Sequence, residues 1–299
     1  MSLVSLVRAD RYSHLKTAIE KSVDLIGFKL PSKLQRIVVK PNLFFYWHCS
    51  TGQTTDPKFV AGLVDFLREN LSSNLEICVV ESDSSAMKCR YSFKFLGYEK
   101  MAKEKEITLV NLTEDKSEKI KVEIADRSYT FSLPNTIKNA ELFINVPKIR
   151  YLPLVKMTCA LKNIYGCNPY PKKFKYHPYL DETIVGLNKI MKPNLCLVDG
   201  IIVRGKCTKK LGLVMASTDQ VATDSAVAKI IGLNPKKIGH LVLAENERLG
   251  QMRYKAVGES VQNFAKLFPT ITIKDRMRST IISLGLSTLR KLGLISYPS

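Results

Sequence analysis

Residues 211–232, which read LGLVMASTDQVATDSAVAKIIG, carry the clearest signal of the fold in this chain. The first part, LGLVMAS (211–217), is an apolar run of strand length. A helix is predicted over 219–232, because Asp219 or Ser217 provides an N-cap and Gly232 ends the helical pattern. A strand that leads directly into a helix is one unit of an α/β fold.

The same order of strand and helix occurs upstream of this unit. RIVVK (36–40) and LEICVVES (75–82) predict buried strands, and a helix is predicted between them over 57–70. Two further strands are predicted in ELFINVPK (141–148) and NLCLVDG (194–200). Strands that alternate with helices predict an α/β fold with a mostly parallel, Rossmann-like sheet and helices on both faces.

The sequence pattern divides the chain into two parts. Residues 1–250 are predicted to form the α/β domain, and residues 251–299 a basic C-terminal helical extension with an amphipathic helix over 276–295. Such a helix can bind an anionic membrane or RNA, or it can dock on the sheet or on a second subunit. Gly285 and Gly293 weaken a free-standing helix and therefore favour docking. The sequence leaves the oligomeric state open.

A large positive charge marks the whole sequence. Its 299 residues include 46 Lys and Arg but 27 Asp and Glu, which gives a formal net charge of +19. A positive field gathers anions, so the partner is expected to be nucleic acid, an anionic membrane surface or a small substrate with phosphate or carboxylate groups. Residues 142–180 concentrate this charge, with seven Lys and Arg, no Asp or Glu, and interleaved aromatic residues.

Several other classes of protein are excluded by pattern. No apolar run reaches the roughly 20 residues of a membrane-spanning helix, and the N-terminal residues lack a secretion leader, so a cytoplasmic protein is expected. The seven cysteines include no CxxC pair, which argues against zinc and iron–sulfur motifs. The glycine motifs of dinucleotide and P-loop sites are also absent.

A series of segments resembles the DUF362 family (domain of unknown function 362). The matching segments are VVKPNL (38–43), TTDP (54–57), VVESD (79–83), INVPK (144–148), TCALKNIYG (158–166), His177, KPNLCLVDGI (192–201) and residues 212–232. Some relatives carry an added ferredoxin module, which points to redox or cofactor metabolism, and this chain resembles a variant without it. Relatives also tend to have a His where this chain has Leu152, so a reaction that needs that His would be lost or changed here.

Polar residues at the predicted strand ends mark a candidate substrate cleft, because ligands of parallel α/β sheets bind beyond the carboxyl ends of the strands. Lys40, Lys148 and Lys162 are predicted to bind an anion, and Asn42 and Asn163 to orient it. The remaining predicted substrate-binding residues are Thr55, Thr158 and Asp199. For Asn42, a role in capping a turn is an equal alternative.

Four residues are candidates for proton transfer: Glu81, Asp83, His177 and Lys162. Glu81 and Asp83, together with Asp199, can also hold a divalent cation, although salt bridges to nearby lysines are the favoured alternative. For Lys162, a permanently charged anion-binding role is favoured over base or Schiff-base chemistry. No other metal site is predicted, and the sequence leaves any further cofactor unknown.

Two functions therefore stay open at this point, and the sequence does not decide whether the chain is an enzyme. The first is an enzyme that binds a small anionic substrate in a Lys- and Asn-lined cleft. The second is an RNA-binding protein that uses the basic surface of residues 142–180 and the C-terminal helix.

Overall fold

A computed structural model describes residues 1–43, 45–71 and 75–272, together with residues 274, 277, 281, 282, 285, 288, 289 and 292. The strands of this part of the chain are β1 (Ser2–Arg8), β2 (Arg36–Pro41), β3 (Glu76–Glu81), β4 (Thr108–Asn111), β5 (Ser117–Ile124), β6 (Arg127–Pro134), β7 (Leu142–Val146), β8 (Lys148–Leu152), β9 (Lys156–Thr158), β10 (Leu195–Arg204), β11 (Thr208–Ser217) and β12 (Tyr254–Gly258). Its α-helices are α1 (Leu15–Leu25), α2 (Pro57–Asn70), α3 (Cys89–Phe95), α4 (Tyr98–Glu104), α5 (Asn135–Lys138), α6 (Ala160–Ile164), α7 (Leu180–Ile190), α8 (Gln220–Ile231), α9 (Gly239–Asn246) and α10 (Val261–Leu267).

One large sheet organises the protein, with the order β12-β1-β11-β10-β7-β2-β3-β4. From β10 to β4 every neighbouring pair is parallel, whereas β11 runs antiparallel to both β1 and β10. Strand β8 pairs parallel with β10 and antiparallel with β9, and β5 and β6 form a separate hairpin. The predicted α/β fold with a mostly parallel sheet is confirmed.

Helices cover both faces of this sheet, because alternate side chains of each strand point to opposite sides. In β2, Ile37 and Val39 pack in one buried cluster with residues of helices α1 to α4. Val38, between them, belongs to a second cluster with residues of α6 to α10. Strands buried on both faces explain the continuous apolar runs of the sequence.

The unit at 211–232 forms as its sequence predicts. The carboxylate of Asp219 accepts hydrogen bonds from the backbone N–H groups of Val221 and Ala222, which caps α8. Gly232 ends the helix with a φ of 82°, a left-handed conformation that glycine adopts without strain.

The C-terminal region contributes to the main sheet. Strand β12, in the region that the sequence assigns to the extension, pairs parallel with β1 at the edge of the sheet. Helix α10 packs against α8. The predicted helix over 276–295 lies largely outside the described residues. Among the described residues, no helix has the length and hydropathy needed to cross a bilayer.

Candidate functional site

A cavity of about 440 Å³ opens where the parallel strands β2 and β3 end. Its walls include residues at the ends of these strands, residues of β8 and α6, and residues of the 3₁₀ segment Lys173–Tyr179. The polar and charged side chains that line it are Lys40, Asn42, Glu81, Ser82, Ser84, Ser85, Lys148, Arg150, Thr158, Lys162, Asn163, Lys173 and His177. We call this space the central cavity.

Lys40 and Glu81 form a buried ion pair on the floor of the central cavity. Nζ of Lys40 lies 2.8 Å from Oε2 of Glu81, and the two side chains are 1% and 4% exposed. Lys40 also donates to the backbone oxygen of Pro41, and Glu81 accepts from the backbone N–H groups of Leu43 and Ser82. Each charge is therefore hydrogen-bonded in place, which a buried ion pair requires.

A second buried ion pair joins Lys148 to Asp199, with 3.0 Å between Nζ and Oδ1. Strand pairing places these residues side by side, since Asp199 of β10 is the register partner of Lys148 in β8. Asp199 also accepts from the backbone N–H of Asp56, the N-cap residue of α2, and from that of Ile201. Lys148 lines the central cavity, and Asp199 stands behind it.

Buried amides connect α6 to the strand ends. Asn163 donates through Nδ2 to the backbone oxygen of Lys40 at 3.0 Å and to Oδ1 of Asn145 at 2.7 Å. Asn145 in turn donates to the backbone oxygen of Ala160 and to Gln220. Both hydrogen bonds of the Asn163 Nδ2 group are thus made within the protein, so this amide group holds the site together and is not directed at a ligand.

Lys162 projects from α6 into the central cavity with its Nζ 3.7 Å from the centre of the Tyr165 ring. Among the described residues, no carboxylate lies within salt-bridge distance of Lys162. Burial, together with the positive charges of Arg150, Lys173 and Lys40, lowers the pKa of Lys162 to about 7. Near neutral pH, Lys162 can therefore both carry charge and exchange a proton.

Lys173 and Arg150 add two more cations to the cavity wall. Lys173 donates to Oγ of Ser82 at 2.5 Å and to the backbone oxygen of Gly166 at 3.2 Å. Burial lowers the pKa of Lys173 to about 8, although the nearby Glu81 opposes this shift. Arg150 is buried, which lowers its pKa to about 10, and its Nε donates to Oγ1 of Thr158 at 3.2 Å. Both cations lie in segment 142–180, which contains no Asp or Glu. This charge pattern was the only feature of the sequence that pointed to Lys173 and Arg150 as site residues.

His177 lies in a 3₁₀ segment, Lys173–Tyr179, on the wall of the central cavity. Burial lowers the pKa of His177, and the charge of Lys162 adds to this effect. The imidazole is therefore largely neutral at neutral pH, so it can accept a proton there but supplies little positive charge.

The N-terminus of α6 is held by a residue that the sequence analysis did not single out. Asp224 of α8 accepts hydrogen bonds from the backbone N–H groups of Ala160 at 2.7 Å and Leu161 at 3.1 Å. Its carboxyl group is fully buried, which raises its pKa to about 6 despite these two donors. Asp224 therefore positions the helix that carries Lys162 and Asn163.

We expect Asp224→Asn to lower the free energy of unfolding by about 1–3 kcal/mol, because an amide leaves one of the two buried N–H groups without an acceptor. The substitution should also speed hydrogen exchange of the backbone amides of residues 160–164 more than that of the amides of α2, each relative to the same amides in the wild-type protein. Equal acceleration in both helices would contradict a specific role at α6.

Three of the predicted residues lie away from the cavity walls. Strand β3 ends at Glu81, so strand alternation does not continue to Asp83, whose carboxylate instead pairs with Lys88 and accepts from the N–H of Cys89 at the start of α3. Thr55 accepts from the N–H of Asn42 and donates to the backbone oxygen of Val146, which fixes a turn. Asp199 is the third of these residues, since it lies behind Lys148 and not on the cavity wall. Asn42 does line the cavity, but its Nδ2 donates to the backbone oxygen of Gln53.

The structure does not gather Glu81, Asp83 and Asp199 into one cation site. Each pairs with its own lysine, respectively Lys40, Lys88 and Lys148. Within the described ranges, no group of three or more His, Cys, Asp or Glu residues is arranged to hold a metal ion.

The basic segment 142–180 is partly folded into the protein. Lys148, Arg150 and Lys173 are buried, as are the rings of Tyr165 and Tyr179. Part of its charge is therefore directed at the central cavity, whereas Lys172 and Lys175 are exposed on the outer surface. Leu152, where the resemblance leads one to expect a His, also lines the central cavity.

Comparisons with known proteins agree with this fold. A family model described as a domain of unknown function, DUF362, matches residues 37–229. The chain is 26% identical over 271 residues to a thylakoid-associated protein of Synechocystis sp., an alignment that covers 83% of this chain and 79% of that protein.

A solved structure with a similar fold is the lactate racemase apoprotein from Thermoanaerobacterium thermosaccharolyticum, with a TM-score of 0.53 and 10% sequence identity. The alignment covers 78% of this chain and 58% of the racemase chain, so this chain spans less than two thirds of that structure's length. At this identity, the similarity shows a shared fold.

Proposed function

Since the chain belongs to the DUF362 family, whose description assigns no reaction, we propose its function from the central cavity. The protein is an enzyme, or an enzyme-like protein, that binds a small organic anion bearing carboxylate or phosphate groups. The observation that supports this proposal most directly is the charge of the cavity lining, which contains five Lys and Arg residues against the single carboxylate of Glu81.

The two buried ion pairs neutralise part of this positive charge. Glu81 balances Lys40, and Asp199 balances Lys148 from behind the wall. Lys162 and Lys173 add further positive charge, and burial lowers the pKa of both side chains. Burying their charged forms costs free energy unless an anion compensates the charge. A bound carboxylate or phosphate would supply that compensation with charge-assisted hydrogen bonds.

The central cavity also has an apolar part of its lining, which favours an organic ligand over a bare inorganic anion. The apolar side chains that line it include Leu43, Phe45, Met87, Leu152, Leu154, Phe174 and Leu180. A ligand with a carboxylate or phosphate at one end and a carbon skeleton at the other would match both parts of the lining.

Proton transfer is the chemistry that these side chains suit best. The pKa of Lys162, about 7, lies close to neutral pH, where general acid–base groups work most efficiently. His177, neutral and on the same cavity wall, can accept a proton. We therefore assign Lys162 a dual role: its protonated form binds the anion, and its neutral form can act as a base.

We place this function in the cytoplasm, as the cysteines suggest. All seven are free thiols, and five of them are buried. Free thiols in this number are typical of a reducing compartment.

The proposal is tested by the pH dependence of ligand affinity. Lysine carries its charge below its pKa, so raising the pH through 7 and 8 removes positive charge first from Lys162 and then from Lys173. We expect a panel of small carboxylates to include ligands that raise the thermal midpoint at pH 6, with an affinity at least tenfold weaker at pH 9.

Carboxylates suit this measurement because their own charge is constant between pH 6 and pH 9. Phosphate esters are screened in parallel at a fixed pH, since their second ionisation lies near pH 6. A panel in which no carboxylate or phosphate stabilises the protein, or in which affinity is unchanged between pH 6 and pH 9, would overturn the proposed site.

A further inference from the structure

Near residues that line the central cavity, four large aromatic side chains are exposed, of which Tyr46, Tyr91 and Phe95 contact one another and Trp47 follows Tyr46 in the chain. Tyr46, Trp47, Tyr91 and Phe95 are 40%, 50%, 41% and 60% exposed. The ring of Phe95 lies 5.6 Å from that of Tyr46 in an edge-on contact and 5.9 Å from that of Tyr91 in a stacked contact. We call these four residues the aromatic patch.

The aromatic patch is built on well-anchored backbone. The hydroxyl of Tyr46 accepts a hydrogen bond from the backbone N–H of Lys88, and Ser92 of α3 donates to the backbone oxygen of Phe45. The loop and the helix therefore present their aromatic side chains as one unit. Exposed aromatic side chains in a contiguous group mark an interaction surface more often than single ones do.

Positive charge accompanies the aromatic patch. Lys88, Arg90 and Lys94 are exposed, and residues 41–55 and 84–98 contain no Asp or Glu. Lys88 pairs with Asp83, whereas the guanidinium of Arg90 lies 4.7 Å from the centre of the Tyr91 ring. Tyrosine and tryptophan beside basic residues are the side chains that favour the headgroup region of a bilayer.

We propose that the aromatic patch docks this protein on the surface of an anionic lipid bilayer. The aromatic side chains enter the interface, and Arg90 and Lys94 contact anionic headgroups. Phe45 and Met87 line the central cavity and directly precede Tyr46 and Lys88 in the chain, so docking of this region sets the cavity opening against the membrane. This proposal does not rest on the proposed function, because the patch residues are separate from the lysines of the cavity.

The arrangement of the rings favours a bilayer over a polynucleotide. Bases bind exposed aromatic faces by stacking. Here Tyr91 and Phe95 stack on each other, and Arg90 lies over Tyr91, so part of this ring surface is already occupied. Insertion into a lipid interface requires only apolar area and nearby positive charge.

The fluorescence of Trp47 provides a direct test, because the chain contains a single tryptophan. With vesicles of phosphatidylcholine and 30% phosphatidylglycerol, we expect a blue shift of the emission and co-sedimentation of the protein. With phosphatidylcholine alone, binding should be at least tenfold weaker. Phe95→Ser should weaken binding to the anionic vesicles about tenfold, because burial of one Phe side chain contributes about that factor or more.

Two double variants distinguish the effect of positive charge beside the aromatic patch from the effect of the net charge of the whole protein. Arg90→Gln with Lys94→Gln should weaken binding about thirtyfold, since each basic residue near an anionic surface contributes about a factor of five. Lys119→Gln with Lys121→Gln, which removes the same charge from exposed positions on β5, should change binding less than twofold.

Several outcomes would overturn the proposal: no shift of Trp47 emission with either vesicle, equal losses in the two double variants, or a response of Trp47 to single-stranded RNA but not to vesicles. Loss of vesicle binding in the Phe95 variant with unchanged carboxylate affinity would separate the docking surface from the cavity.

Discussion

Replacing Glu81 by Gln is expected to lower the free energy of unfolding by about 3–5 kcal/mol, because it leaves the buried charge of Lys40 without its partner. The pair is 1% and 4% exposed, so water cannot replace the lost carboxylate. The amide also removes the negative charge that holds Lys40 in the floor of the central cavity. Chemical denaturation of both proteins at pH 7, with equal denaturant slopes, measures this difference.

The matched control is Glu69→Gln, which breaks the exposed pair between Lys16 and Glu69, whose side chains are 38% and 57% exposed. Exposed ion pairs contribute about 0–1 kcal/mol, so this variant should remain close to wild type. If the two variants lose similar stability, the buried pair has no special role in the fold.

A double variant distinguishes the ion pair from general packing. Lys40→Met combined with Glu81→Gln removes both charges, so it should recover part of the stability that Glu81→Gln loses. Its affinity for anions should nevertheless fall, because Lys40 lines the central cavity. Losses that simply add in the double variant would contradict direct coupling between the two side chains.

Replacing Lys162 by Met is expected to abolish anion binding and, at the same time, to stabilise the ligand-free protein at pH 6 by about 0.5–2 kcal/mol. The pKa of Lys162 is lowered in the folded state, so the folded protein holds fewer protons than the unfolded chain above about pH 7. Wild-type stability therefore rises with pH from about 7 upward, and the advantage of the variant should shrink between pH 7 and pH 10.

Opposite effects on binding and stability identify Lys162 as a functional residue rather than a structural one. The measurements are carboxylate affinity and denaturation curves at pH 6 and pH 9. Lys100→Met is the control, since Lys100 is 83% exposed and should alter neither quantity appreciably. A destabilised Lys162 variant that still binds the ligand would contradict the assignment.

The fold was predictable because its signals are local. The apolar runs at 36–40 and 75–82 are strands that both faces of a parallel sheet bury, and capping at Asp219 and Gly232 bounds α8 as the sequence indicates. The placement of β12 beside β1 was not predictable, since no local pattern near residue 254 specifies a partner 250 residues away in sequence.

The candidate site was predictable in part, for a related reason. Lys40, Glu81, Lys148, Lys162, Asn163 and His177 all line the central cavity. Parallel strands end at one edge and bring the first three together, whereas α6 and the 3₁₀ segment carry the other three. Asp83 lies away from the cavity walls, because strand alternation holds only while the strand continues.

By itself, the sequence determined the α/β class, the strand ends that form the site and the local excess of positive charge. Only the tertiary structure decided how each charge is used. It paired Glu81 with Lys40 and Asp199 with Lys148, and it left Lys173 buried and Lys162 partly buried beside other cations. The physical reason is that burial and pairing depend on distances between residues far apart in the chain, and these quantities set the pKa and the free energy of every charge in the site.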